Sequence, residues 1–341
     1  MWRDMAQRMK QWELSTPGIE ALRLVEAERP SPGAGEVLLR TQAVSLNYRD
    51  GAIIEGAMGS PWKGALVPGS EMTGEVVALG EGVTRFAVGD RVIISDNVGW
   101  IDGPKPPDDA NHEAVLGRLA EYAVAPEAQL VRAPASLDAA AASTLSVAGL
   151  TAWFAVVELG AVRAGQTLVV QGTGGVSLFA IQFAVAHGAQ VIVTSSSDSK
   201  LQRAMALGAG NGINRVEHPE WQRPVLEITG GRGAEHILEM AGGDNVARSL
   251  EAVSLGGRVS IIGLLEDTTL HAPILPLLFK RATLAAIAVG HRRALEDMVR
   301  AIDHLRIKPI IDKVYDFQSA PEAFVHLRRG PFGKVVVKVA D

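Results

Sequence analysis

The sequence predicts an α/β protein in which a doubly wound parallel sheet is inserted into a β-rich domain. Three observations carry this reading. The apolar strand Leu168-Val-Val-Gln171 runs directly into the glycine turn Gly172-Thr-Gly-Gly175 and then into a helical stretch through Phe179. From Gly165 to Gly290 strand and helix signals alternate, which is the pattern of parallel strands joined by crossover helices. On either side, short β-branched runs punctuated by Pro and Gly suggest a compact barrel-like domain.

The elements follow in order. Residues 1–140 are expected to hold strands at Glu36–Thr41, Gly74–Leu79, Asp90–Ser95 and Leu119–Ala125. Trp100–Gly117, with Pro104, Pro106 and Pro107, reads as an exposed loop. Ala139–Val157 carries no charge and could pass for a membrane span. Its Ala, Ser, Thr and Gly content, with Gly149 interrupting it, reads instead as buried helices at a domain junction. Residues 141–290 then give strands at Thr167–Gln171, Gln190–Thr194, Gly212–Asn214, Glu235–Met240, Arg258–Gly263 and Thr283–Val289. Between them lie helices at Val176–His187 and Asp198–Leu207, one opened by Pro219, and one that Asp244 can cap. Residues 291–341 return to the first domain through a helix and the strand Lys334–Val339.

A strand, a glycine turn and a helix in that order form a dinucleotide-binding βαβ unit. Gly172 permits the tight turn and Gly174 lets the backbone approach a pyrophosphate. The helix opening at Gly175 and Val176 aims unpaired N–H groups and a positive dipole end at those phosphates. Thr173 lies within the turn, and Ser177 holds the third small position. NAD-preferring units carry an acidic residue about 20 residues later, to accept hydrogen bonds from the ribose. Here the strand ends in Ser195-Ser196-Ser197-Asp198-Ser199-Lys200. With Ser196 at the tip no carboxylate repels a 2′-phosphate, while Lys200 and Arg215 offer positive charge to bind it. NADP(H) is the expected cofactor. Ser197 or Asp198 can also cap the following helix, with Lys200 solvated. Gly263 and Leu264, where the fifth strand ends, complete the candidate cofactor set in this domain.

Composition sets outer limits. The net charge of -5 and pI near 5.9 give no nucleic-acid footprint. No basic start followed by an apolar core marks a signal peptide. The absence of cysteine excludes disulfides and thiolate metal sites, and fits a cytoplasmic protein.

Five segments then carry a resemblance: Ser45-Leu-Asn-Tyr-Arg-Asp50, Pro68-Gly-Ser-Glu-Met-Thr-Gly74, Val88-Gly-Asp-Arg-Val92, Gly149-Leu-Thr-Ala-Trp153 and Gly172-Thr-Gly-Gly-Val176. Across essentially the whole chain their order resembles the medium-chain dehydrogenase/reductase superfamily. That resemblance implies a GroES-like catalytic domain, a Rossmann domain and an active-site cleft between them. In the zinc alcohol dehydrogenases of the superfamily, Cys, His and a further Cys or acidic residue hold the catalytic ion. Asn47 stands at the position of that first Cys, and Ser70 at the His. Glu71 remains, but one carboxylate is short of the three protein ligands usual at catalytic zinc. The four-cysteine structural lobe is missing, and the eight histidines form no convincing ligand spacing. No metal is expected.

Without a metal, an activated acceptor such as a quinone or enone suits the site, because its conjugation spreads the negative charge that develops. The zinc-independent quinone oxidoreductase-like branch is similar over Asn47-Tyr48-Arg49-Asp50. The expected function is metal-free, NADPH-dependent reduction of a quinone, enone or similar conjugated carbonyl. Alternatives are a metal-free alcohol or aldehyde dehydrogenase-like enzyme and a non-catalytic NADPH-binding sensor. In the leading reading Tyr48 donates a proton or hydrogen bond to the developing enolate or hydroquinone oxygen. Asn47 contacts the nicotinamide ribose or the acceptor, and Asp50 holds the loop. Tyr48 could instead pack against the cofactor domain, and Asp50 and Glu71 could form only structural hydrogen bonds or ion pairs. Thr151 faces the nicotinamide by resemblance or caps a helix. Lys334 reads as a cofactor contact or an exposed strand lysine, and His291 as a pocket residue or a surface residue at a helix start. The resemblance also suggests a homodimer, with the apolar edge strand Thr283–Val289 pairing across a twofold axis.

Overall fold

A computed structural model describes residues 8–57, 64–108 and 117–340. The chain divides into two compact units: the first runs to Leu150 and resumes at Val289, and the second is Thr151–Ala288.

In chain order the first unit opens with β1 (Arg8–Glu13), β2 (Arg23–Glu28), β3 (Glu36–Leu46), α1 (Tyr48–Ile54) and β4 (Glu71–Leu79). It continues through β5 (Arg91–Ile94), β6 (Tyr122–Pro126), β7 (Leu130–Arg132) and α2 (Ala139–Ala142). A helical run follows with α3 (Leu150–Trp153) at its centre and a wide π turn on each side. The second unit holds β8 (Thr167–Gln171), α4 (Gly175–Ala186), β9 (Gln190–Ser195), α5 (Asp198–Met205), β10 (Asn211–Asn214) and α6 (Gln222–Ile228). Next come β11 (Ala234–Glu239), α7 (Asn245–Ala252), β12 (Val253–Ile261), α8 (Ile274–Lys280) and β13 (Thr283–Ala286). The tail supplies α9 (Arg292–Leu305), β14 (Ile311–Asp316), α10 (Ala320–Arg328) and β15 (Lys334–Lys338) to the first unit.

The second unit is a six-stranded sheet in the order β10-β9-β8-β11-β12-β13, every neighbouring pair parallel. This is the Rossmann arrangement, with the order reversing between β8 and β11. Val169, Ile192, Ile213, Ile237 and Val259, one from each of five strands, pack with Trp221, Val225 and Leu250 of the helical side. α4 is apolar on nearly every face, so it must be covered on nearly every face. It lies on β8 and β9 and also meets the helical run before β8. Phe179 stacks on Phe183 at 5.8 Å, and Trp153 meets Phe183 edge-on at 5.3 Å.

The first unit is a seven-stranded, mainly antiparallel sheet in the order β14-β15-β3-β4-β5-β7, with β6 also on β3. β14 and β15 are parallel. Leu39, Val44, Leu46, Met72, Val76 and Val335 lie in one core with Phe324 of α10. The long β3 is the spine: it pairs with β15, β4 and β6. Its last residue, Leu46, delivers the chain to Asn47 at the start of α1.

Several expected elements differ. Tertiary pairing extends β3 and β4 beyond the runs read from sequence, while β13 stops at Ala286 rather than Val289. Val289 lies outside the strand with φ 62°. β12 starts at Val253, earlier than Arg258, and ends at Ile261. Pro219 does not open α6, which begins at Gln222. Asp244 makes no side-chain cap on α7; its carboxylate meets His271 Nδ1 at 3.2 Å. The tail contains a second helix and strand, α10 and β14, that sequence punctuation did not separate. Trp100 is buried rather than part of an exposed loop; residues 109–116 of that stretch lie outside the described residues.

Candidate cofactor and active site

In the second unit the glycine turn leaves the carboxyl end of β8, next to the point where strand order reverses. Gly172 has φ 75°, a left-handed conformation that disfavours any side chain. Gly174 is the N-cap of α4 at φ −79°. A Cβ built on either glycine would meet nothing within 4 Å, so the turn presents bare backbone to open space. The first N–H groups of α4 have no intrahelical acceptor, and the twelve-residue helix adds its dipole. Ser177 Oγ donates to Gln171 O at 2.8 Å, which fastens the helix start to the end of β8. Thr173 is buried, while Gly175 and Val176 are half-buried at the helix entrance. This turn fits a dinucleotide pyrophosphate.

β9 ends at the buried Ser195, and Ser196 beyond it is exposed. Ser197 caps α5 by accepting from Lys200 N at 3.4 Å, and Asp198 Oδ1 accepts from Asn214 Nδ2 at 2.8 Å. The cap is therefore formed by Ser197, and the Asp198 carboxylate accepts from an amide instead of capping the helix. Arg215 is exposed, and its backbone N–H donates to Ser195 O at 2.9 Å. Gly263 follows β12 so closely on β11 that a Cβ there would lie 2.2 Å from Met240 O. Leu264 beside it is 44% exposed. Thr151 is buried inside a continuous helical run, so it caps no helix.

In the first unit the residues before and at the start of α1 fold around a capping box. Asn47 N donates to Asp50 Oδ2 at 2.8 Å, and the Asn47 side chain accepts from the Asp50 backbone. Ser70 Oγ donates to the same Asp50 oxygen at 3.1 Å, while Asp50 Oδ1 has no partner. Burial raises the Asp50 carboxyl from 3.8 to about 6, against the opposing pull of Arg49 and of the bonds from Asn47 and Ser70. Arg49 is held away by a two-pronged pair with Asp96, at 2.5 and 2.9 Å. Tyr48 is the first residue of α1 and is 60% exposed.

Lys334 corrects a sequence expectation: it is not an exposed strand lysine but only 3% exposed. Its Nζ donates to Leu46 O at 2.8 Å, Asn47 Oδ1 at 2.6 Å and Glu71 Oε1 at 2.8 Å. All three ammonium protons are thereby directed at protein oxygens. Glu71 is fully buried; it also accepts from Asn47 Nδ2 at 3.0 Å and from Val147 N at 2.7 Å. His291 caps α9, accepting from Ala294 N at 2.9 Å. It is buried rather than on the surface, edge-on to Trp100 at 5.4 Å.

These residues do not fit a zinc ion. An amide, a hydroxyl and one carboxylate make a poor donor set for zinc, and the Lys334 ammonium already lies against two of the oxygens. Among the described residues no three His, Asp or Glu side chains gather in a metal-binding group.

The structure brings Asn47, Asp50, Glu71, Ser70 and Lys334 together, and separately collects Gly172–Val176 at the strand ends. Sequence reading missed the Lys334–Glu71 pair, because the two are 263 positions apart. It also missed a buried knot of Gln171, Glu239, Asn245 and Ser249. Four polar residues at the ends and starts of apolar elements were the only available signal.

A Rossmann unit with an open glycine turn, joined to a β-rich unit, defines a pyridine-nucleotide oxidoreductase. Residues 33–135 match the alcohol dehydrogenase GroES-like domain family, and residues 175–304 match the zinc-binding dehydrogenase family. The zinc-type alcohol dehydrogenase-like protein of Schizosaccharomyces pombe is 38% identical over 334 residues, 94% of this chain and 96% of that one. A quinone oxidoreductase of Pseudomonas aeruginosa is 34% identical over 247 residues, 72% of this chain and 70% of its own. A crystal structure from Sinorhizobium meliloti 1021, provisionally described as an alcohol dehydrogenase, superposes with TM-score 0.91 at 51% identity, covering 98% of this chain and all of that one. The chain belongs to the medium-chain dehydrogenase/reductase superfamily, which includes quinone oxidoreductase-like members.

Proposed function

We propose that the protein is an NADPH-dependent reductase of quinones, enones or similar conjugated carbonyls, acting without a metal. The observation that carries this reading is the Lys334 ammonium bonded to Asn47 and Glu71, which leaves those oxygens engaged with a cation and supplies no Lewis acid to an alcohol. The quinone oxidoreductase of P. aeruginosa, similar over 72% of the chain, supports the acceptor class. The serine tip of β9, with Lys200 on the adjoining helix, supports NADPH over NADH.

NADPH supplies a hydride when bound. The chain's own residues supply the rest. The backbone of Gly172–Val176 receives the pyrophosphate, and Gly263 and Leu264 line the neighbouring strand end. Asn47 and Asp50 fix the first turn of α1 and so fix Tyr48, whose phenol donates to the oxygen that becomes negative in the acceptor. The same reading includes a cytoplasmic location, consistent with the cysteine-free sequence. No helix among the described residues is long and apolar enough to cross a membrane.

A homodimer is part of the proposal. β13 is the last strand of its sheet, and α8 beside it leaves Ile274, Leu275, Leu278 and Phe279 57–77% exposed. A second copy that continues the sheet along β13 would cover them. Light scattering that shows a monomer at micromolar concentration overturns this.

The test of function is NADPH oxidation by chelator-treated protein against quinones, enones and aldehydes, with NADH in parallel. Turnover with a quinone or enone and a preference for NADPH is expected. Activity that appears only with aldehydes, or only after zinc is added, refutes the reading. Tyr48→Phe should lower kcat while leaving NADPH affinity unchanged; an unchanged kcat removes Tyr48 from the chemistry.

A further inference from the structure

The two loops that border the strand-order reversal are tied together from below. Gln171, the last residue of β8, directly precedes the glycine turn; Glu239, the last of β11, directly precedes the Met240–Gly243 loop. Glu239 is fully buried. Its Oε2 accepts from Gln171 Nε2 at 3.0 Å, Ser249 Oγ at 2.5 Å and Asn245 Nδ2 at 2.9 Å. Its Oε1 accepts from the backbone N–H groups of Ala241 at 2.9 Å and Gly242 at 3.2 Å, and from Asn245 Nδ2 at 2.8 Å. Gln171 Oε1 accepts in turn from Met240 N at 3.1 Å and Asn245 Nδ2 at 3.0 Å. Trp221 Nε1 closes the outer side by donating to Asn245 Oδ1 at 2.9 Å.

We propose that Glu239 is a positioning residue for the dinucleotide: through Gln171 and the Ala241 and Gly242 amides it fixes the spacing of the two crevice loops. This rests on the cofactor reading above. An apolar pair of similar volume would hold β8 against β11 at least as well. Such a pair could not bind three successive backbone N–H groups of the β11 loop, nor select one orientation of the Gln171 side chain beneath Gly172. A buried polar network with every oxygen satisfied specifies a single arrangement, and ligands enter α/β sheets at the reversal point that this one underlies. None of its members reaches the β9 tip, where Ser196 and Lys200 stand, so the network governs affinity for the dinucleotide but not the choice between NADPH and NADH.

The experiment measures NADPH and NADH binding by fluorescence, together with thermal midpoint, for wild type, Glu239→Gln and the swap Gln171→Glu/Glu239→Gln. Glu239→Gln sets two amide NH2 groups face to face; the swap restores one donor to one acceptor. Glu239→Gln should weaken both cofactors at least tenfold with their ratio unchanged, and the swap should recover affinity to within about threefold of wild type. If Glu239→Gln does not fold, Ser249→Ala removes one donor and should still weaken both cofactors about threefold. Affinity within twofold of wild type in the soluble single variant, whatever its midpoint, overturns the proposal, as does a swap that regains stability without affinity. Wild-type protein that fails to bind either dinucleotide overturns the cofactor reading and this proposal with it.

Discussion

Replacing Lys334 with Met tests the centre of the first unit. The substitution keeps the length of the side chain and deletes its charge. Lys334 and Glu71 are 3% and 0% exposed, so the pair is shielded from solvent and removal of one partner strands a charge in the interior. Breaking a buried pair in this way costs about 3–5 kcal/mol. Glu71 keeps its bonds from Asn47 Nδ2 and Val147 N, which argues for the lower end. For a domain of this size each kcal/mol moves the thermal midpoint by about 2–4 °C, so a loss of about 3 kcal/mol lowers it by about 6–12 °C. Urea denaturation with linear extrapolation supplies the free energy directly. The double variant Lys334→Met/Glu71→Gln removes both charges and should recover most of the loss. A single variant within about 1 kcal/mol of wild type, or a double variant no better than the single, would refute the argument that charge compensation holds this site.

Asp50 gives a pH dependence of known sign. Its folded value of about 6 lies above its ordinary 3.8, so its contribution to stability is full below pH 3.8 and is lost as pH rises through about 6. The shift of about two units corresponds to about 3 kcal/mol. Asp50→Asn should therefore gain on wild type between pH 4 and 7, and parallel stability curves would contradict this. Gly174→Ala should leave the thermal midpoint within about 2 °C, since φ is negative and the added Cβ meets nothing. It should nonetheless weaken NADPH binding at least tenfold by occupying the pyrophosphate position. Gly172→Ala, at φ 75°, should cost about 1 kcal/mol or more. Ser196→Asp should turn the NADPH preference toward NADH by at least tenfold; titration of both cofactors decides it.

The local order of residues was enough for the second unit. A strand followed by a glycine turn and an apolar helix has few other ways to bury its surface, and repeated alternation dictates a parallel sheet with right-handed crossovers. The glycine turn and the serine tip of β9 are each a single short stretch of sequence, so both could be singled out as candidate cofactor contacts before any tertiary contact was known. Departures arose where an element's limits depend on a neighbour. β3 and β4 grew because each supplied the other's hydrogen bonds, and β13 falls short of Val289 because the backbone there is left-handed, at φ 62°.

Tertiary structure alone decided the rest. Nothing local distinguishes Lys334, the first residue of the strand Lys-Val-Val-Val-Lys, from a solvated lysine at a strand end. Its burial follows from β15 pairing with β3, which sets the ammonium beside Leu46, Asn47 and Glu71. The same holds for Gln171 and Glu239, brought together by the adjacency of β8 and β11. The sequence determined which backbone turns can form, because sterics and periodicity act over a few residues. The fold determined which charges are paired, because a buried ion depends on whatever distant group reaches it.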